Sequence, residues 1–593
     1  MNRIRYTILP QDLHGHRFAV TLDIPSRIVS KEGVQVQLPT WIPGSYMVRD
    51  FSKHIETINA KSQRLEKIDS HTWFVPASQQ DVQIQYQVYA FDTSVRAAYL
   101  DQYRGFFNPT SLCLQVLDFA DEAHELVLQP TSQTPNTWKV ETTLAAKKID
   151  RRGFGIYEAK SYDTLIDHPM AMGEFQTVSW TSYGTPHQMV IQGAIAKVDE
   201  AQLAKDLKSI CDAHIQFFEP ESKRAPFKEY KFIVNAVGDG YGGLEHRNST
   251  VLLCKRDDLP YPSQNIQKHD AYEDFLGLCS HEYFHAWMVK RIKPKAFDPY
   301  TLDQKNHTRL LWLFEGFTSY YDDLQLFRSQ RIDLNKYLKR LEKTWNMVLR
   351  NPGRHKQSVS DSSFDAWTKY YQMDENTPNA VVSYYTKGSL IALALDLLIR
   401  QHSNNRQSLD DVIRHLWQMW QLTQQGMSEN DFDQAINFII GPSFQKTWKQ
   451  FKADYIDGTT DLPLFDLLNQ GKIKVALKNK KATENAESAK QLLGIRTTVT
   501  NGWVKLTHVL DSGLAQIAGL AAGDYLSSIQ EERVNPQRLD QLLLLLMLQL
   551  SNQEDVIIRG FRHEKEFEVR LSSIMAKKNL SNLSPAQYSL SSH

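Results

Sequence analysis

Alternating apolar and polar positions dominate the first 165 residues. The segments Phe18–Leu22, Val34–Leu38 and Val82–Tyr89 each carry an apolar residue at about every second position. Successive side chains of a β-strand point to opposite faces, so a period of two predicts strands with one buried face. Residues 1–165 are therefore predicted to form a mostly-β N-terminal domain.

Helical periodicity replaces this pattern in the middle of the chain, which is assigned to a second domain at 166–460. Residues 199–217 place Leu203 and Leu207 on one face, which predicts an amphipathic helix, and a strand is predicted at 230–237. The region from about 265 to 460 is predicted to be mainly helical, with helices at about 269–290, at 310–321 and from 380 to 397.

The last part of the chain divides into a linker, a small domain and a tail. Residues 461–490 lack apolar periodicity and are predicted to form a polar linker. The domain at 491–575 contains an all-apolar run at 542–548, and a helix that is apolar on every face must be buried on more than one side. We expect that run to pack on the second domain or on a second subunit. The Ser- and Asn-rich residues 576–593 are predicted to be disordered.

The composition is that of an ordinary globular protein. Of the 593 residues, 41% are hydrophobic, and 68 basic residues balance 68 acidic ones. A net charge of zero gives no global field to attract nucleic acid or an anionic membrane. The N-terminus lacks the apolar stretch of a signal peptide, and the run at 542–548 is too short to span a bilayer. The four cysteines are scattered, which predicts reduced structural thiols in a cytoplasmic protein.

The strongest chemical pattern is an H-E-x-x-H motif at 281–285. In a helix, His281 and His285 lie one turn apart on one face, where two imidazoles can share one ion. Glu282 then lies beside the ion and can accept a proton from bound water. The other interpretation is a buried helix that contains two histidines and a glutamate by chance.

A third ligand is predicted on the next helix. A catalytic zinc needs three protein ligands and one open position. The only charge in the very apolar segment 310–321 is Glu315, and a buried carboxylate is costly unless it is paired or bound to metal. We therefore predict Glu315 as the third ligand. The alternative is a structural ion pair with Arg309 or Arg291. Rival ligands are Glu273, Asp274 and Asp322.

These motifs resemble those of the PDZ-containing glycyl aminopeptidase family. The resemblance lies in His-Glu-Tyr-Phe-His-Ala-Trp at 281–287, in Val-Lys-Arg-Ile-Lys-Pro at 289–294 and in Leu-Trp-Leu-Phe-Glu-Gly-Phe-Thr-Ser-Tyr-Tyr at 311–321. It implies a multidomain α+β gluzincin metallopeptidase with a thermolysin-like catalytic domain, its second half helical, and one Zn2+ per chain. It also implies removal of small N-terminal residues, Gly and then Ala.

The sequence Gly-Gly-Leu-Glu-His at 242–246 is similar to the Gly-x-Met-Glu-Asn motif of zinc aminopeptidases, with Leu for Met and His for Asn. The resemblance implies that Glu245 binds the free α-amine of the substrate, which a buried carboxylate does through a charge-assisted hydrogen bond. The residues by themselves favour a hairpin turn with a solvated Glu245.

The sequence Tyr-Thr-Lys-Gly at 385–388 resembles the Tyr-Glu-Lys-Gly of the same enzymes. It implies that the hydroxyl of Tyr385 donates to the oxyanion of the tetrahedral intermediate, because a phenol can donate without being ionised at neutral pH. The alternatives are Tyr384 as the donor, or aromatic packing of both rings in the core.

Two other segments resemble the family's N-terminal part. Residues 39–51 are similar to the signature of its first domain, and they are interpreted either as a structural turn packed by Trp41 and Tyr46 or as a direct contact to substrate. Residues 167–175 resemble a segment near the start of the catalytic domain, where His168 is expected to be structural.

Residues 491–575 resemble a PDZ domain. Residues 491–495 are similar to its carboxylate-binding loop, with Leu in place of the first Gly, and 512–524 to its characteristic turn. A PDZ domain adds a peptide strand to the edge of its sheet. We expect this domain to take a peptide or an intramolecular ligand.

The sequence therefore predicts a zinc aminopeptidase that acts on peptides with a free N-terminus. One alternative is a zinc endopeptidase with the same metal chemistry, which would not need Glu245. The other is a PDZ-bearing binding protein with a vestigial metal site, which the presence of Glu282 and of all three expected ligands disfavours. No nucleic-acid or membrane partner is expected.

Overall fold

The structure is a computed structural model that describes residues 3–29, 32–61, 64–262, 270–471, 473–477, 485–574 and 587–592. The chain folds into two compact units. The first comprises residues 1–306, 321–332 and 410–435, and the second comprises residues 307–320, 333–409 and 436–593.

The first unit is built mainly from strands. In chain order they are β1 (Ile4–Asp12), β2 (Arg17–Ile24), β3 (Val34–Gln37), β4 (Ile55–Ala60), β5 (Glu66–Lys67), β6 (Thr72–Val75), β7 (Val82–Tyr89), β8 (Ala98–Leu100), β9 (Arg104–Phe107), β10 (Gln115–Val116), β11 (His124–Leu128), β12 (Lys139–Glu141), β13 (Ala145–Ile149), β14 (Gly155–Ala159), β15 (Met170–Gly173), β16 (Gln176–Ser182), β17 (Thr185–Gln192), β18 (Tyr230–Val237), β19 (Gly242–Glu245) and β20 (Ser249–Lys255). Its first helices are α1 (Tyr162–Ile166), α2 (Glu200–Phe218) and α3 (Asp270–Phe284).

Three sheets share the N-terminal core. A seven-stranded sheet has the order β13-β14-β11-β1-β2-β7-β4, and two four-stranded sheets have the orders β10-β3-β6-β5 and β12-β15-β9-β8. The period-two apolar positions point inward, as Ile4, Tyr6 and Ile8 of β1 do. The strands predicted at 18–22, 34–38 and 82–89 are confirmed within a residue or two at their ends. Because β15 pairs with β9, this part extends to about residue 173, beyond the predicted boundary at 165.

A five-stranded sheet follows, in the order β16-β17-β18-β20-β19. Strands β17, β18 and β20 run parallel, and β16 and β19 are antiparallel edge strands. The helix α2 and the strand β18 agree closely with the prediction. Helix α3 packs on β19 and β20, so the H-E-x-x-H motif faces the sheet edge that carries the Gly-Gly-Leu-Glu sequence.

Helix α3 ends at Phe284, not at about 290 as predicted. The chain turns instead between Ala286 and Ile292. Val289 there has φ +82°, a left-handed conformation that a β-branched residue rarely adopts, and its N–H donates to the carbonyl of Ile292 at 2.7 Å. Residue 269, the predicted start, lies outside the described residues.

The remaining helices are α4 (Leu311–Arg328), α5 (Leu334–Arg350), α6 (Val359–Phe364), α7 (Thr377–Ala380), α8 (Thr386–His402), α9 (Leu409–Thr423), α10 (Glu429–Ile440), α11 (Gln445–Phe451) and α12 (Leu464–Gln470). The helical second half of the peptidase region is thereby confirmed. Within the second unit, α4 and α8 cross where Gly316 meets Gly388, since a Cβ added to Gly316 would lie 2.6 Å from the Cα of Gly388.

The C-terminal part of the second unit contains β21 (Ile473–Leu477), α13 (Ala486–Leu493), β22 (Ile495–Thr500), β23 (Trp503–Val509), α14 (Leu514–Ile517), β24 (Tyr525–Ile529), β25 (Glu532–Arg533), α15 (Leu539–Ser551), β26 (Val556–Arg562), β27 (Lys565–Leu571) and β28 (Tyr588–Ser592). One sheet has the order β22-β23-β24-β26-β27, with β25 paired to β24. It shares a core with α13 and α15, so this domain begins at about 486, before the predicted 491.

One expectation for this region is wrong, and another stays a prediction. Helix α15 is buried at Leu542, Leu546 and Leu550, whereas Leu545 and Leu548 are 45% and 46% exposed. Packing of its apolar run on a second subunit therefore stays a prediction. The segments expected to be a plain linker and a disordered tail contain α12 and a two-stranded sheet of β21 with β28. Backbone hydrogen bonds between β21 and β28 order these residues, although their composition predicts neither strand. The rest of the tail, 576–586 and 593, lies outside the described residues, as does residue 575.

Two further findings concern the described part of the chain as a whole. None of its helices combines the length and apolarity needed to cross a membrane. The four cysteines are buried and free, in agreement with the prediction of reduced thiols.

Candidate metal centre

The two histidines of the motif converge on one point. His281 lies in the last turn of α3, and His285 follows the helix by one residue. Their Nε2 atoms are 3.1 Å apart, and the rings are nearly perpendicular. The spacing of four residues produces this convergence, because it stacks two side chains on one helical face.

The other ring nitrogen of each histidine has a fixed partner. Nδ1 of His281 lies 2.9 Å from Oδ2 of Asp322, and Nδ1 of His285 lies 3.0 Å from the carbonyl oxygen of Met288. Both acceptors favour a proton on Nδ1, which leaves Nε2 with a lone pair for a cation. Burial by itself would lower the pKa of His281, but the hydrogen bond to Asp322 and the negative charges of Asp322 and Glu282 together outweigh it, and the pKa is raised.

Glu315 completes a group able to hold a metal ion. One ligand atom from each of His281, His285 and Glu315 lies within 4.8 Å of the other two. Glu315 is 3% exposed on the apolar helix α4. Two imidazoles and a carboxylate are a ligand set that zinc takes in catalytic sites with one position left open, so the residues fit the metal that the sequence implies.

The alternatives to Glu315 as the third ligand have different partners or lie outside this group. Asp322 is the hydrogen-bond partner of His281, and Glu273 and Asp274 do not belong to the metal-binding group. The two arginines that could have paired with Glu315 are engaged as well. The guanidinium of Arg309 pairs with Asp361, and that of Arg291 donates to backbone carbonyls.

A hydrogen-bonded chain supports the first histidine. Nε2 of His214, on α2, lies 2.9 Å from the hydroxyl of Ser280, which donates to the carbonyl of Asp322 at 2.9 Å. Burial lowers the pKa of His214 to about 3, so its ring is neutral and can donate from Nε2. Helices α2, α3 and α4 are thus linked directly behind His281.

Glu282 lies against the edge strand β19. A side chain on Gly243 would overlap the carboxylate of Glu282, so only glycine lets this strand approach the motif helix. Nη2 of Arg96 donates to the carbonyl of Gly243 at 3.3 Å and helps to hold the strand. The carboxylate of Glu282 is nearly fully buried.

Glu245 is buried at the end of β19, 4% exposed. No described residue donates a hydrogen bond to its Oε1 atom. Burial, Glu245 and Asp163 raise the pKa of the nearby Tyr300 well above its usual value. A buried carboxylate such as Glu245, with no described donor to one of its oxygens, suits a cationic ligand.

The loop at 39–51 covers Glu245, a contact that the sequence did not reveal. Gly44 has φ +96°, and an added Cβ would lie 2.6 Å from both carboxylate oxygens of Glu245. Trp41 donates from Nε1 to the carbonyl of Thr301 at 2.9 Å, and Tyr46 stacks on Phe297. Trp41 and Tyr46 therefore hold the loop in place by packing. The absence of a side chain at Gly44 leaves room for the carboxylate of Glu245. In the sequence, only the pair Pro43-Gly44 inside an aromatic turn indicates that this loop could have such a role.

The two tyrosines before α8 have different environments. Tyr384 is fully buried, and burial, Tyr371 and Glu315 raise its pKa well above the usual value. Tyr385 is half-buried, and its hydroxyl lies 3.2 Å from that of Tyr371. The rings stack at 4.7 Å.

Two stretches of this chain match domains of a known peptidase family. Residues 5–174 match the Peptidase M61 N-terminal domain, and residues 274–391 match the M61 glycyl aminopeptidase domain. An aminopeptidase N family protein from Idiomarina loihiensis has a solved structure that is 37% identical to this chain, with a TM-score of 0.90, and the alignment covers 99% of this chain and 98% of that one.

More distant solved structures are also similar. An M1 zinc metallopeptidase from Deinococcus radiodurans is 13% identical, with a TM-score of 0.47 over 78% of this chain and 94% of that one. Native yeast LTA4 hydrolase is 12% identical, with a TM-score of 0.47 over 83% of this chain and 76% of that one. Comparison with curated protein sequences returned no match.

The fold and the two-histidine, one-carboxylate group define a metallopeptidase. The chain carries the M61 N-terminal and M61 glycyl aminopeptidase domains and belongs to the same family as the Idiomarina loihiensis protein, the aminopeptidase N family. This membership supports a zinc aminopeptidase.

Proposed function

We propose that this protein removes single small residues, Gly and then Ala, from the free N-termini of peptides. The observation that carries the proposal is the course of β19. The same short strand passes Glu282 at Gly243 and ends at the buried carboxylate of Glu245 two residues later. A peptide lying along this edge would meet the proton acceptor at Gly243 and the amine-binding group two residues further along the strand.

The side chains at the metal centre have two roles, metal binding and proton transfer. His281, His285 and Glu315 would hold one zinc ion per chain. Bound there, zinc would lower the pKa of a water molecule and polarise the scissile carbonyl. Glu282 accepts the proton of the attacking water and then delivers it to the leaving amine.

Tyr385 is the proposed donor to the oxyanion. Its side chain is half-buried and therefore open to a ligand, whereas Tyr384 is fully buried. Tyr385→Phe should lower kcat by about 100-fold or more with little change in KM, as the loss of one oxyanion donor does. A larger loss in Tyr384→Phe, with Tyr385→Phe active, would assign the role to Tyr384.

Glu245 limits cleavage to the first residue by pairing with the α-ammonium group. Long substrates are thereby held in one register, with the amine fixed and the first peptide bond at the metal centre. The preference for Gly is supported by the description of the matched domain as a glycyl aminopeptidase, and Ala is included because it has the next smallest side chain.

A paired peptide digestion tests the proposal. One peptide carries a free N-terminal Gly, its twin is N-acetylated, and mass spectrometry follows both with and without a chelator. Loss of one Gly from the free peptide only, abolished by chelator, is expected. Equal internal cleavage of both peptides would instead identify an endopeptidase. Purified protein that binds no zinc and cleaves neither peptide would identify a binding protein.

Substitution of Glu245 tests its role as the amine-binding group. Glu245→Gln should lower kcat/KM for the free peptide by about 10- to 100-fold, the value of one charge-assisted hydrogen bond. Glu141→Gln, which removes a carboxylate paired with Lys231 on the same unit, is the matched control and should be unchanged. An endopeptidase would tolerate both substitutions.

We further propose that the domain from α13 to β27 is a PDZ domain. Gly494 ends α13 in the left-handed conformation, φ +73°, and the edge strand β22 begins at the next residue. A peptide would add to that edge. Titration of the full chain with labelled peptides that end in a free or an amidated carboxyl group tests this, and equal binding of both would contradict it.

The buried free cysteines support a reducing, cytoplasmic setting.

A further inference from the structure

Asp167 joins two segments that are far apart in the sequence. It follows α1 directly and is 4% exposed. Its Oδ1 lies 2.8 Å from Nζ of Lys290, whose side chain is equally buried, and its Oδ2 accepts the backbone N–H of Arg247 at 3.0 Å. One carboxylate thus holds a side chain of one segment and the backbone of another.

Each of these segments carries a group of the proposed reaction. Arg247 comes two residues after Glu245, and Lys290 comes five residues after His285. The turn between His285 and Lys290 is tight: the N–H of Lys290 donates to the carbonyl of His285 at 3.2 Å, and Met288 accepts from Nδ1 of His285. The turn therefore fixes the position of Lys290 relative to the histidine.

Arg291 makes a second connection between the same two segments. Its Nη1 donates to the carbonyl of Arg247 at 2.9 Å and to the carbonyl of Ala286 at 2.5 Å, and its Nη2 donates to the carbonyl of Pro226 at 2.8 Å. The turn after the motif helix and the chain after β19 are thus fastened twice, once through a carboxylate and once through a guanidinium.

The backbone of the turn is strained where these contacts converge. Val289 has φ +82° between Met288, which orients His285, and Lys290, which reaches Asp167. A β-branched residue in this conformation costs free energy that the surroundings must offset. Backbone strain of this kind is found mainly at functional sites, where it helps to orient a side chain.

Stability alone does not account for a buried ion pair here. Burial would raise the pKa of Asp167, but Lys290, Arg247 and His246 lower it well below its usual value, so the carboxylate is charged. Apolar residues of similar volume are often as stabilising as such a pair. Apolar residues, however, cannot form the directional hydrogen bonds by which Asp167 connects the two segments.

We propose that Asp167 is a positioning residue that sets the distance between the amine-binding Glu245 and the metal ligand His285, and so restricts cleavage to the first peptide bond. This inference rests on the proposed function. It predicts that the Asp167–Lys290 pair affects ligands that have an α-amine and leaves ligands that bind only the metal unaffected.

Two small hydroxamates separate these effects in the zinc-loaded full chain. Acetohydroxamate can bind the metal only, whereas glycine hydroxamate also offers an amine. The ratio of their inhibition constants measures the amine anchor, and in the unmodified protein it should favour glycine hydroxamate by about tenfold or more. Asp167→Asn should reduce that preference to about one, with acetohydroxamate inhibition and bound zinc unchanged. For a Gly-peptide, KM should rise while kcat changes little.

A matched control and a double variant separate positioning from folding. Asp163→Asn removes another carboxylate that pairs with Arg247, but one that is half exposed and does not contact Lys290; it should retain the preference. Asp167→Asn/Lys290→Met removes both buried charges and should restore the melting temperature if the single variant loses stability. Loss of the preference in this double variant supports the inference.

The other outcomes contradict it. A preference retained in Asp167→Asn, or restored in the double variant, would make Asp167 a structural residue only. A preference absent from the unmodified protein would overturn the amine anchor itself, and the inference with it. The peptide digestion described above identifies that second case independently.

Discussion

Asp322 accepts a hydrogen bond from Nδ1 of His281 at 2.9 Å, and it lies seven residues after Glu315 on α4. Residues seven apart share one face of a helix. The helix that presents the proposed third ligand therefore also orients the first one. The sequence suggested Asp322 only as a rival ligand, and the structure gives it this different role.

Asp322→Asn should weaken zinc binding by about 10- to 100-fold, because a carboxylate behind a ligating imidazole fixes its tautomer and raises its basicity. The asparagine keeps a hydrogen-bond acceptor and removes the charge. Competition with a chelator of known affinity measures the change.

The neighbouring Asp323→Asn is the control for that measurement. Its backbone N–H donates to Asp322, but its carboxylate is not the acceptor of the His281 hydrogen bond. Equal weakening in both variants would attribute the effect to the net charge of α4 and contradict a specific role for Asp322.

Gly243→Ala should inactivate the enzyme without removing its metal. The added methyl group would overlap the carboxylate of Glu282, which must then rotate or push β19 away. We expect kcat to fall by about 100-fold or more, as when a general base is lost, with one zinc still bound per chain. Steady-state kinetics and metal analysis of the same sample check both parts.

Gly238→Ala is the matched substitution. An added Cβ at Gly238 would lie 3.6 Å from Nη1 of Arg256, an ordinary contact, and its φ is not in the left-handed region. If Gly238→Ala loses as much activity as Gly243→Ala, the loss reflects a weakened loop and not the approach to Glu282.

The sequence predicted those features that depend on local spacing. The period-two strands such as Val82–Tyr89 and the amphipathic helix Glu200–Phe218 follow from side-chain geometry within one element. The convergence of His281 and His285 follows from the same rule. Glu315 could be singled out because a lone charge on an apolar helix is costly unless it is paired or bound to a metal.

Features that depend on tertiary contact could not be predicted. Gly44 lies about 200 residues from the Glu245 carboxylate that it covers, and no period links them. The early end of α3 is followed by a turn with a left-handed Val289, a conformation that tertiary contacts must stabilise. Likewise, the polar composition of the tail gives no sign that Tyr588 stacks on Trp345.

Lys387→Met should stabilise the protein at neutral pH. Lys387 is 1% exposed, no described residue accepts a hydrogen bond from its Nζ, and burial lowers its pKa to about 8. The unfolded chain holds that proton up to a pKa of about 10.5, so unfolding takes up a proton between about pH 8 and 10.5 and the stability of the native protein rises with pH there. Below pH 8 the native state bears the full penalty, at most about 3 kcal/mol.

Melting temperatures of both proteins from pH 7 to 10 test this. The advantage of Lys387→Met should be largest at pH 7 and shrink as the pH approaches 10. Lys369→Met, which removes an exposed lysine paired with Asp365, should show a difference that does not vary in this way. A constant advantage for Lys387→Met would mean that its ammonium group is not penalised by burial.

Asn346→Ala should release the C-terminal strand from the second unit. The amide of Asn346 donates to the carbonyl of Tyr588 and accepts its N–H, both at 2.9 Å, as a neighbouring strand would. Loss of two hydrogen bonds at a buried site should cost about 2 kcal/mol, so amide exchange in β21 and β28 should accelerate about 30-fold. Ser589→Ala removes only a longer bond, 3.3 Å, to the carbonyl of Ala476 and should leave exchange unchanged. If Asn346→Ala does not alter exchange in β28, the stacking of Tyr588 on Trp345 and the pairing with β21 are sufficient to hold the strand.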